Sequence, residues 1–192
     1  MRITGGAARG ILLACPQKSA LRPATDALRL AIFSALAAAG KDCRATHFVD
    51  FFAGVGSYGL EALSRGARSG VFVERDRECC DAIRRNLAAV CCAARSDQKF
   101  FPIRCGDAFS LSPSDDPGLL FCDPPYELLR REPIRYLDLL ASHLRAARPD
   151  AVAVLELPSD AKITLPEPLR PWKTIGKSGG RGSPCALFIG VC

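Results

Sequence analysis

The sequence predicts an α/β fold in which a mostly parallel sheet carries helices on both faces. Short apolar runs of strand length alternate along the chain with longer segments whose apolar residues recur at helical spacing. Alternating strands and helices pack most simply as a parallel sheet joined by crossover helices. The 192 residues are enough to bury one sizeable core. We therefore expect a single domain over residues 1–192, made of an N-terminal arm (1–22) and a core (23–192).

The predicted elements follow one another in a regular order. Glycines in the arm permit the tight turns of an irregular segment or a β-hairpin. Thr25 or Asp26 can cap the first helix, and Gly40 can end it. Further strands are predicted at 47–52, 70–74, 100–105, 119–122 and 151–157, and further helices at 59–67, 76–93 and 133–147. The segments 171–176 and 185–191 could form a hairpin at one edge of the sheet.

Composition and charge narrow the class of protein. Hydrophobic residues make up 48% of the chain and charged residues 24%, as in soluble globular proteins. No apolar run approaches the roughly 18 residues of a membrane span. The N-terminus also lacks the apolar core of a signal peptide, so we expect a cytoplasmic protein. The net charge of +6 is concentrated at the ends, with seven Lys+Arg against two Asp+Glu in residues 1–49 and five against one in residues 162–192. Such ends suit contact with a polyanion, and ordinary solvated surface explains them equally well.

The ten cysteines do not follow a metal-binding pattern. Two adjacent pairs, at 79–80 and 91–92, could suggest a cluster, but no C-x-x-C spacing occurs. Thiols stay reduced in the cytosol, where a free cysteine behaves as a small hydrophobic residue. We therefore expect no metal site.

A glycine-rich loop follows the first predicted strand. In DFFAGVGSYG, Gly54, Gly56 and Gly59 form a G-x-G-x-x-G turn that several adenosine cofactors use. Asp50 precedes this turn, and a carboxylate there attracts the ammonium group of a cofactor while offering nothing to a pyrophosphate. Glu74 ends the next strand, where it can accept both ribose hydroxyls. The combination favours S-adenosylmethionine, although capping for Asp50 and a surface charge for Glu74 are alternatives.

A third acid follows the same logic. Asp107 comes just after the third predicted strand and could accept a hydrogen bond from the adenine amino group, with Ala108 and Phe109 near the ring. A simple turn residue is the alternative.

The sequence FCDPPY ends the fourth strand with a charge, two prolines and a ring. Ligands of open parallel sheets gather beyond the carboxyl ends of the strands. There the Asp123 carboxylate and a backbone carbonyl fixed by Pro124 and Pro125 could accept the two protons of a purine amine. Tyr126 could stack on the base. This pattern predicts methyl transfer to the amine by positioning and polarisation, and a proline-rich turn is the alternative.

In this order the motifs DFFAGVGSYGLEALSRGA, VFVERD, GDAF and FCDPPY resemble the class I amino-methyltransferases. The N-terminal segments MRITGGAARGILL and RPATDALRLAIFSAL resemble more particularly the RsmD family of bacterial 16S rRNA guanine-N2 methyltransferases, which modify position 966 in the usual rRNA numbering. The resemblance implies a Rossmann-like class I methyltransferase fold, with a seven-stranded, mostly parallel sheet and an N-terminal β-hairpin extension. It implies S-adenosyl-L-methionine as cofactor and 16S rRNA in the 30S subunit, or its assembly intermediate, as partner.

The resemblance also assigns residues to the site. It implies that Arg22, Thr25 and Asp26 lie beside the cofactor and substrate cleft. The implied cofactor contacts are Thr25, Asp26, Asp50, Ala53, Gly54, Gly56, Gly59, Glu74, Arg75, Asp107 and Ala108. The residues implied at the amine are Asp123, Pro124, Pro125 and Tyr126, and those implied to contact RNA are Arg2, Arg9, Lys18, Arg22 and Arg29. Three bulky residues depart from the expected pattern, namely Phe51, Val55 and Tyr58.

Three other functions stay open. An adenine-N6 methyltransferase acting on DNA or RNA could use the same D-P-P-Y motif, although 192 residues leave little room for a target-recognition region. A nicotinamide-dependent oxidoreductase would use the glycines but leaves Asp50 and Asp123 unexplained. A noncatalytic RNA-binding assembly factor would not need acids at successive strand ends. We expect a monomer, although no motif defines the oligomeric state.

Overall fold

The structure is a computed structural model that describes residues 1–16, 25–113, 117–176 and 182–191. Its centre is a seven-stranded sheet in the order β3-β2-β1-β4-β5-β7-β6. The strands are β1 (His47–Phe51), β2 (Ser69–Glu74), β3 (Ile103–Cys105), β4 (Leu119–Cys122), β5 (Val152–Pro158), β6 (Leu169–Ile175) and β7 (Pro184–Val191). The helices are α1 (Asp26–Ala38), α2 (Ser57–Ser64), α3 (Arg77–Ala94), α4 (Tyr126–Arg131) and α5 (Pro133–Ala146).

The sheet is parallel from β3 to β5 and ends in an antiparallel hairpin. β1 pairs in parallel with both β2 and β4, and the connection from β1 to β2 runs through α2. β7 pairs antiparallel with β5 and with β6, so that β6 forms the edge. The seven-stranded sheet with flanking helices confirms the predicted fold class, including the hairpin at one edge.

Side chains on successive strand residues point to opposite faces of the sheet, and each face has its own core. One face carries Phe48, Phe72 and Phe121 and is covered by α1, α2 and α3. The opposite face carries Val49 and Leu120 and is covered by α5. This alternation decides which way the residue at the end of each strand points.

Local sequence explains where the helices begin. The hydroxyl of Thr25 accepts a hydrogen bond from the Leu28 N–H at 3.2 Å, so Thr25, not Asp26, caps α1. α4 was not predicted, because the two prolines before it indicated a turn. Pro125 has φ −54° and caps α4, where the missing N–H of proline removes no helical hydrogen bond. Of the predicted strand at 100–105, only Ile103–Cys105 is extended, and a 3₁₀ turn covers Gln98–Phe100.

The arm folds back on itself and docks on α2. An antiparallel bridge joins Arg2 to Leu12, which is the hairpin-like contact predicted for this segment. The Ala7 N–H donates to the Ser64 carbonyl at 2.7 Å, and Ile3 is buried in the core. Gly6 has φ +78°, and a Cβ at this position would lie 1.9 Å from the Ser64 oxygen, so only glycine fits the docked arm. Lys18 and Arg22, both predicted to contact RNA, lie outside the described residues.

Arg29 is buried at 0% exposure, so the prediction that it contacts RNA is wrong. Its Nε lies 3.4 Å from Glu61 Oε2, and its Nη2 lies 2.8 Å from Asp26 Oδ1. Its guanidinium also donates to the Arg2 carbonyl. Glu61 also pairs with Arg65, whose Nε lies 2.8 Å from Glu61 Oε1. The cluster thus joins the arm, α1 and α2. A guanidinium held in this way has no path to a phosphate.

No helix within the described ranges is long and apolar enough to cross a membrane.

The buried position of Arg29 predicts a large loss of stability on its removal. Arg29→Met leaves the buried Glu61 without one of its two cations, which should lower the free energy of unfolding by about 3 kcal/mol. Arg44→Met is the matched control, because Arg44 is exposed and forms its ion pair with the neighbouring Asp42. Urea unfolding of both variants measures the difference. Equal stability of the two variants would contradict the buried network.

Candidate active site

Four carboxylates stand at the carboxyl ends of neighbouring strands. Asp50, Glu74 and Glu156 belong to β1, β2 and β5, and Asp123 directly follows β4. Each lies two residues after a core residue of the face covered by α1, α2 and α3, so all four point to that face. Cys122 pairs with Leu155, so Asp123 and Glu156 come next in register on adjacent strands. We call these four residues the acid row.

The glycine loop is folded around two members of the acid row. Gly54 and Gly56 have φ +56° and +83°, a left-handed conformation that turns the chain from β1 into α2. The Gly54 N–H donates to Glu74 Oε2 at 2.8 Å. The Gly59 N–H donates to Asp50 Oδ2 at 2.9 Å. The two acids therefore fix the shape of the loop as well as its charge.

Gly59 is also required by packing. A Cβ on this residue would lie 2.4 Å from Phe72 Cε1 and 2.6 Å from Phe48 Cε2. Glycine therefore lets α2 approach the sheet closely enough for its N–H to reach Asp50.

Asp50 is enclosed by the protein, with 1% of its surface exposed. Burial raises the pKa of its carboxyl to about 8, and the charge of Glu74 adds to this, while the Gly59 N–H opposes it. The structure thus shows Asp50 in contact with the glycine loop, and its contact with a cofactor ammonium group stays a prediction.

Glu74 ends β2, and Asp107 follows two residues after the end of the neighbouring strand β3. Glu74 is half-buried, and its second oxygen accepts from the Asp76 N–H at 2.8 Å. The Gly106 N–H donates to the Glu74 carbonyl at 2.9 Å, which holds the next turn against the end of β2. Asp107 is exposed and accepts from the Phe109 N–H at 3.1 Å. Of the neighbouring predicted residues, Ala53 and Ala108 are buried and Arg75 is exposed.

An aromatic wall adjoins this turn. The rings of Phe52, Phe109 and Tyr136 lie with centroids 5.3–5.6 Å apart. The guanidinium of Arg135 lies 3.9 Å from the centroid of the Phe109 ring. Of these three rings, only Phe109 was predicted to lie near the cofactor, because Phe52 and Tyr136 come from distant segments that no motif connects.

Asp123 is the open member of the acid row. Its side chain is half-buried, and no group in the described part of the chain hydrogen-bonds to its carboxylate. Burial raises its pKa well above the usual range, and the charges of Glu156 and Asp50 raise it further. Pro124 is buried, and Pro125 leads directly into α4. The Asp123 carboxylate is therefore held on a stiff proline segment and can still accept hydrogen bonds from a ligand.

Glu156 is the member of the acid row that the sequence analysis missed. It accepts hydrogen bonds from the hydroxyls of Tyr58, at 2.5 Å, and Tyr126, at 3.0 Å. Tyr58 stacks on Phe121 with ring centroids 5.4 Å apart and an interplanar angle of 15°. A glutamate inside the apolar run AVAVLEL was the available signal, because a charge rarely enters a buried strand without a partner.

The remaining predicted residues lie at the arm. Asp26 accepts from the Arg2 N–H at 3.2 Å and pairs with Arg29, so its contacts go to the arm. The Arg2 side chain is 65% exposed and lies 3.9 Å from Asp26. Arg9 is exposed in the turn of the arm. These two arginines are thus available at the surface.

Comparisons with known proteins agree on one family. A family model described as Conserved hypothetical protein 95 matches residues 1–181. "Ribosomal RNA small subunit methyltransferase D" of Escherichia coli K12 is 41% identical over 90 residues, which cover 47% of this chain and 44% of that protein. The protein of the same name in Haemophilus influenzae is 29% identical over 169 residues, covering 87% of this chain and 83% of that one.

One solved structure shows the same fold over the whole chain. The Escherichia coli protein yhhF, provisionally named a methyltransferase, superposes with a TM-score of 0.77 at 24% identity. The superposition covers 100% of this chain and 98% of that one. This likeness confirms the Rossmann-like methyltransferase fold that the sequence predicts.

Asp50 should make stability depend on pH. Its pKa is higher in the folded protein, about 8, than its ordinary value of 3.8. The folded protein therefore favours protonated Asp50. The stabilisation that results is full below pH 4, and it is lost as the pH rises through about 8 and the carboxyl ionises. Asp50→Asn keeps an oxygen for the Gly59 N–H and removes this titration. Relative to the unaltered protein, its free energy of unfolding should rise by at least about 1 kcal/mol between about pH 5 and about pH 9.

Urea unfolding at the two pH values measures this effect. Asp97→Asn is the control, because the Lys99 N–H lowers the pKa of the exposed Asp97, which stays ionised throughout. An unchanged pH dependence in Asp50→Asn would show that Asp50 is ionised in the folded protein.

Proposed function

The chain belongs to the Conserved hypothetical protein 95 family, and we propose that it transfers a methyl group from S-adenosylmethionine to the exocyclic N2 amine of a guanine in 16S rRNA. The open carboxylate of Asp123 is the observation that carries this proposal. It stands on a proline-rich segment, on the same face of the sheet as the glycine loop and Glu74. An acceptor in that position suits a weakly nucleophilic amine.

The acid row suits a cationic cofactor. S-adenosylmethionine carries an ammonium group and a sulfonium group, and when bound it supplies the methyl group. Buried carboxylates repel one another, and a positive ligand relieves that repulsion. A pyrophosphate would add to it, which argues against a nicotinamide cofactor. Glu74 uses one lone pair of each oxygen for a backbone N–H and keeps others for two ribose hydroxyls.

Asp123 and Tyr126 would act on the target base. The Asp123 carboxylate would accept a hydrogen bond from one amine proton, while a backbone carbonyl of the proline segment accepts the other. These bonds would draw the nitrogen lone pair out of conjugation and so make it available for methyl transfer. Asp123 would then take the proton that the methylated amine loses, for which its raised pKa is suited. Tyr126 would stack on the base.

RNA is the substrate that the relatives and the charge favour. The named relatives are small-subunit rRNA methyltransferases. The alignment spans less than half of the Escherichia coli relative, so the substrate is carried over as part of this proposal. The net charge of +6 and the exposed Arg2 and Arg9 of the arm suit contact with a phosphate backbone.

Asp123→Ala tests the amine site. This variant should lower the methylation rate of 30S subunits at least about a hundredfold, because the amine loses its polarising acceptor. The affinity for S-adenosylmethionine, measured by isothermal titration, should stay within a few-fold. Asp97→Ala is the control and should retain full activity, because Asp97 is an exposed acid that precedes β3 and does not belong to the acid row.

Labelled cofactor and nucleoside analysis of the product distinguish the candidate functions. N2-methylguanine is the expected product. N6-methyladenine would identify the alternative methyltransferase, and binding of NAD in preference to S-adenosylmethionine would overturn the proposal. An RNA complex without any methylated product would indicate an assembly factor.

The arm should contribute phosphate contacts that depend on salt. Replacing Arg2 and Arg9 together by Gln should weaken RNA binding and reduce the slope of log K against log salt by about 0.8 per lost contact. Arg44→Gln is the control, because the Arg44 side chain is also exposed, at 81%, but is held by Asp42 at 2.7 Å. Filter binding over a salt series gives the slope. A slope unchanged by the double substitution would exclude the arm from the interface.

A further inference from the structure

Glu156 has no role in the proposed reaction, yet burying its carboxylate costs free energy. It is 2% exposed at the end of a strand whose other residues are almost all apolar. Burying a carboxylate costs free energy unless its oxygens are paired, and an apolar residue would stabilise the strand at lower cost. Stability alone therefore does not explain a glutamate at this position.

The two partners of Glu156 come from opposite sides of the site. Tyr58 is the second residue of α2 and directly continues the glycine loop. Tyr126 is the first residue of α4 and directly continues the proline segment. One carboxylate oxygen accepts from each hydroxyl, so Glu156 joins the cofactor side to the amine side.

The geometry also fixes both rings. Tyr58 cannot rotate freely, because its ring stacks on Phe121 while its hydroxyl is held. Tyr126 is half-buried, and Glu156 is the partner that holds its hydroxyl. Asp123 lies next in register to Glu156. Tyr126, whose hydroxyl Glu156 holds, follows Asp123 by three residues in the sequence.

We propose that Glu156 is a positioning residue that sets the plane of the Tyr126 ring and its distance from the glycine loop, so that a stacked guanine presents its amine to the methyl donor. The inference rests on the proposed function. It adds a residue outside the recognised motifs, which acts through Tyr58 and Tyr126 and does not touch the substrate. Its contribution is orientation, which raises the rate without tightening the binding of the cofactor.

Four variants test this role by kinetics on 30S subunits. Glu156→Ala should lower kcat/KM about thirtyfold or more, because both tyrosines lose their partner. Tyr126→Phe and Tyr58→Phe should each lower it between about threefold and thirtyfold. Glu156→Gln should retain activity to within about fivefold, because an amide can accept from one hydroxyl and donate to the other. The affinity for S-adenosylmethionine should stay within about threefold in Tyr126→Phe and Glu156→Gln.

The double variant Glu156→Ala/Tyr126→Phe separates positioning from simple destabilisation. Glu156 acts through the tyrosine hydroxyls, so removing the Tyr126 hydroxyl from a protein that already lacks Glu156 should cost nothing further, and the double variant should be no slower than Glu156→Ala alone. Effects that multiply, full activity in Tyr126→Phe, or a Glu156→Gln variant as slow as Glu156→Ala would each overturn the inference. Tyr126→Phe and Tyr58→Phe keep the test decisive if Glu156→Ala fails to fold. Unaltered protein that methylates no RNA would instead overturn the proposed function.

Discussion

Mutual repulsion among the carboxylates of the acid row, two of them buried and two half-buried, is the constraint on which the site depends. Burial raises the pKa of Asp50, Asp123 and Glu156, and the charges of neighbouring acids raise the pKa of Asp50 and Asp123 further. Three of the four carboxylates accept hydrogen bonds from the protein itself. Backbone N–H groups reach Asp50 and Glu74, and tyrosine hydroxyls reach Glu156. Only Asp123 has no donor from the described residues, and a ligand with a positive charge and N–H donors would complete the arrangement.

The arm and the glycine loop share a common support. Glu61 of α2 accepts from the Thr4 N–H at 2.7 Å, which anchors the arm to the helix that the loop begins. Asn86 of α3 accepts from the Ala14 N–H at 2.7 Å and donates to the Val55 carbonyl at 3.1 Å. A single side chain thus holds both the arm and the loop. The surface proposed to contact RNA is therefore built into the same packing that shapes the cofactor loop.

Much of this arrangement follows from the order of residues, and the failures have physical causes. Strand ends were predictable because apolar runs stop at Glu74 and Asp123 and because the glycine turn begins shortly after Asp50, and parallel topology then gathers those residues at one edge. Glu156 was missed because its partners are distant in sequence and no motif marks it. The error on Arg29 was avoidable. It lies between Leu28 and Ile32 on the apolar stripe of α1, a position that indicates burial.

Tyr58 shows how a departure from an expected pattern can be absorbed. A bulky ring directly before the tightly packed Gly59 would be expected to disturb the loop. It does not, because successive helical residues diverge in direction, so Gly59 faces Phe72 while Tyr58 stacks on Phe121. The ring fills apolar space beside the sheet, and its hydroxyl satisfies a buried carboxylate that would otherwise lack one partner. Tyr58 therefore adds a second hydrogen-bond donor to Glu156, from the helix that directly follows the glycine loop.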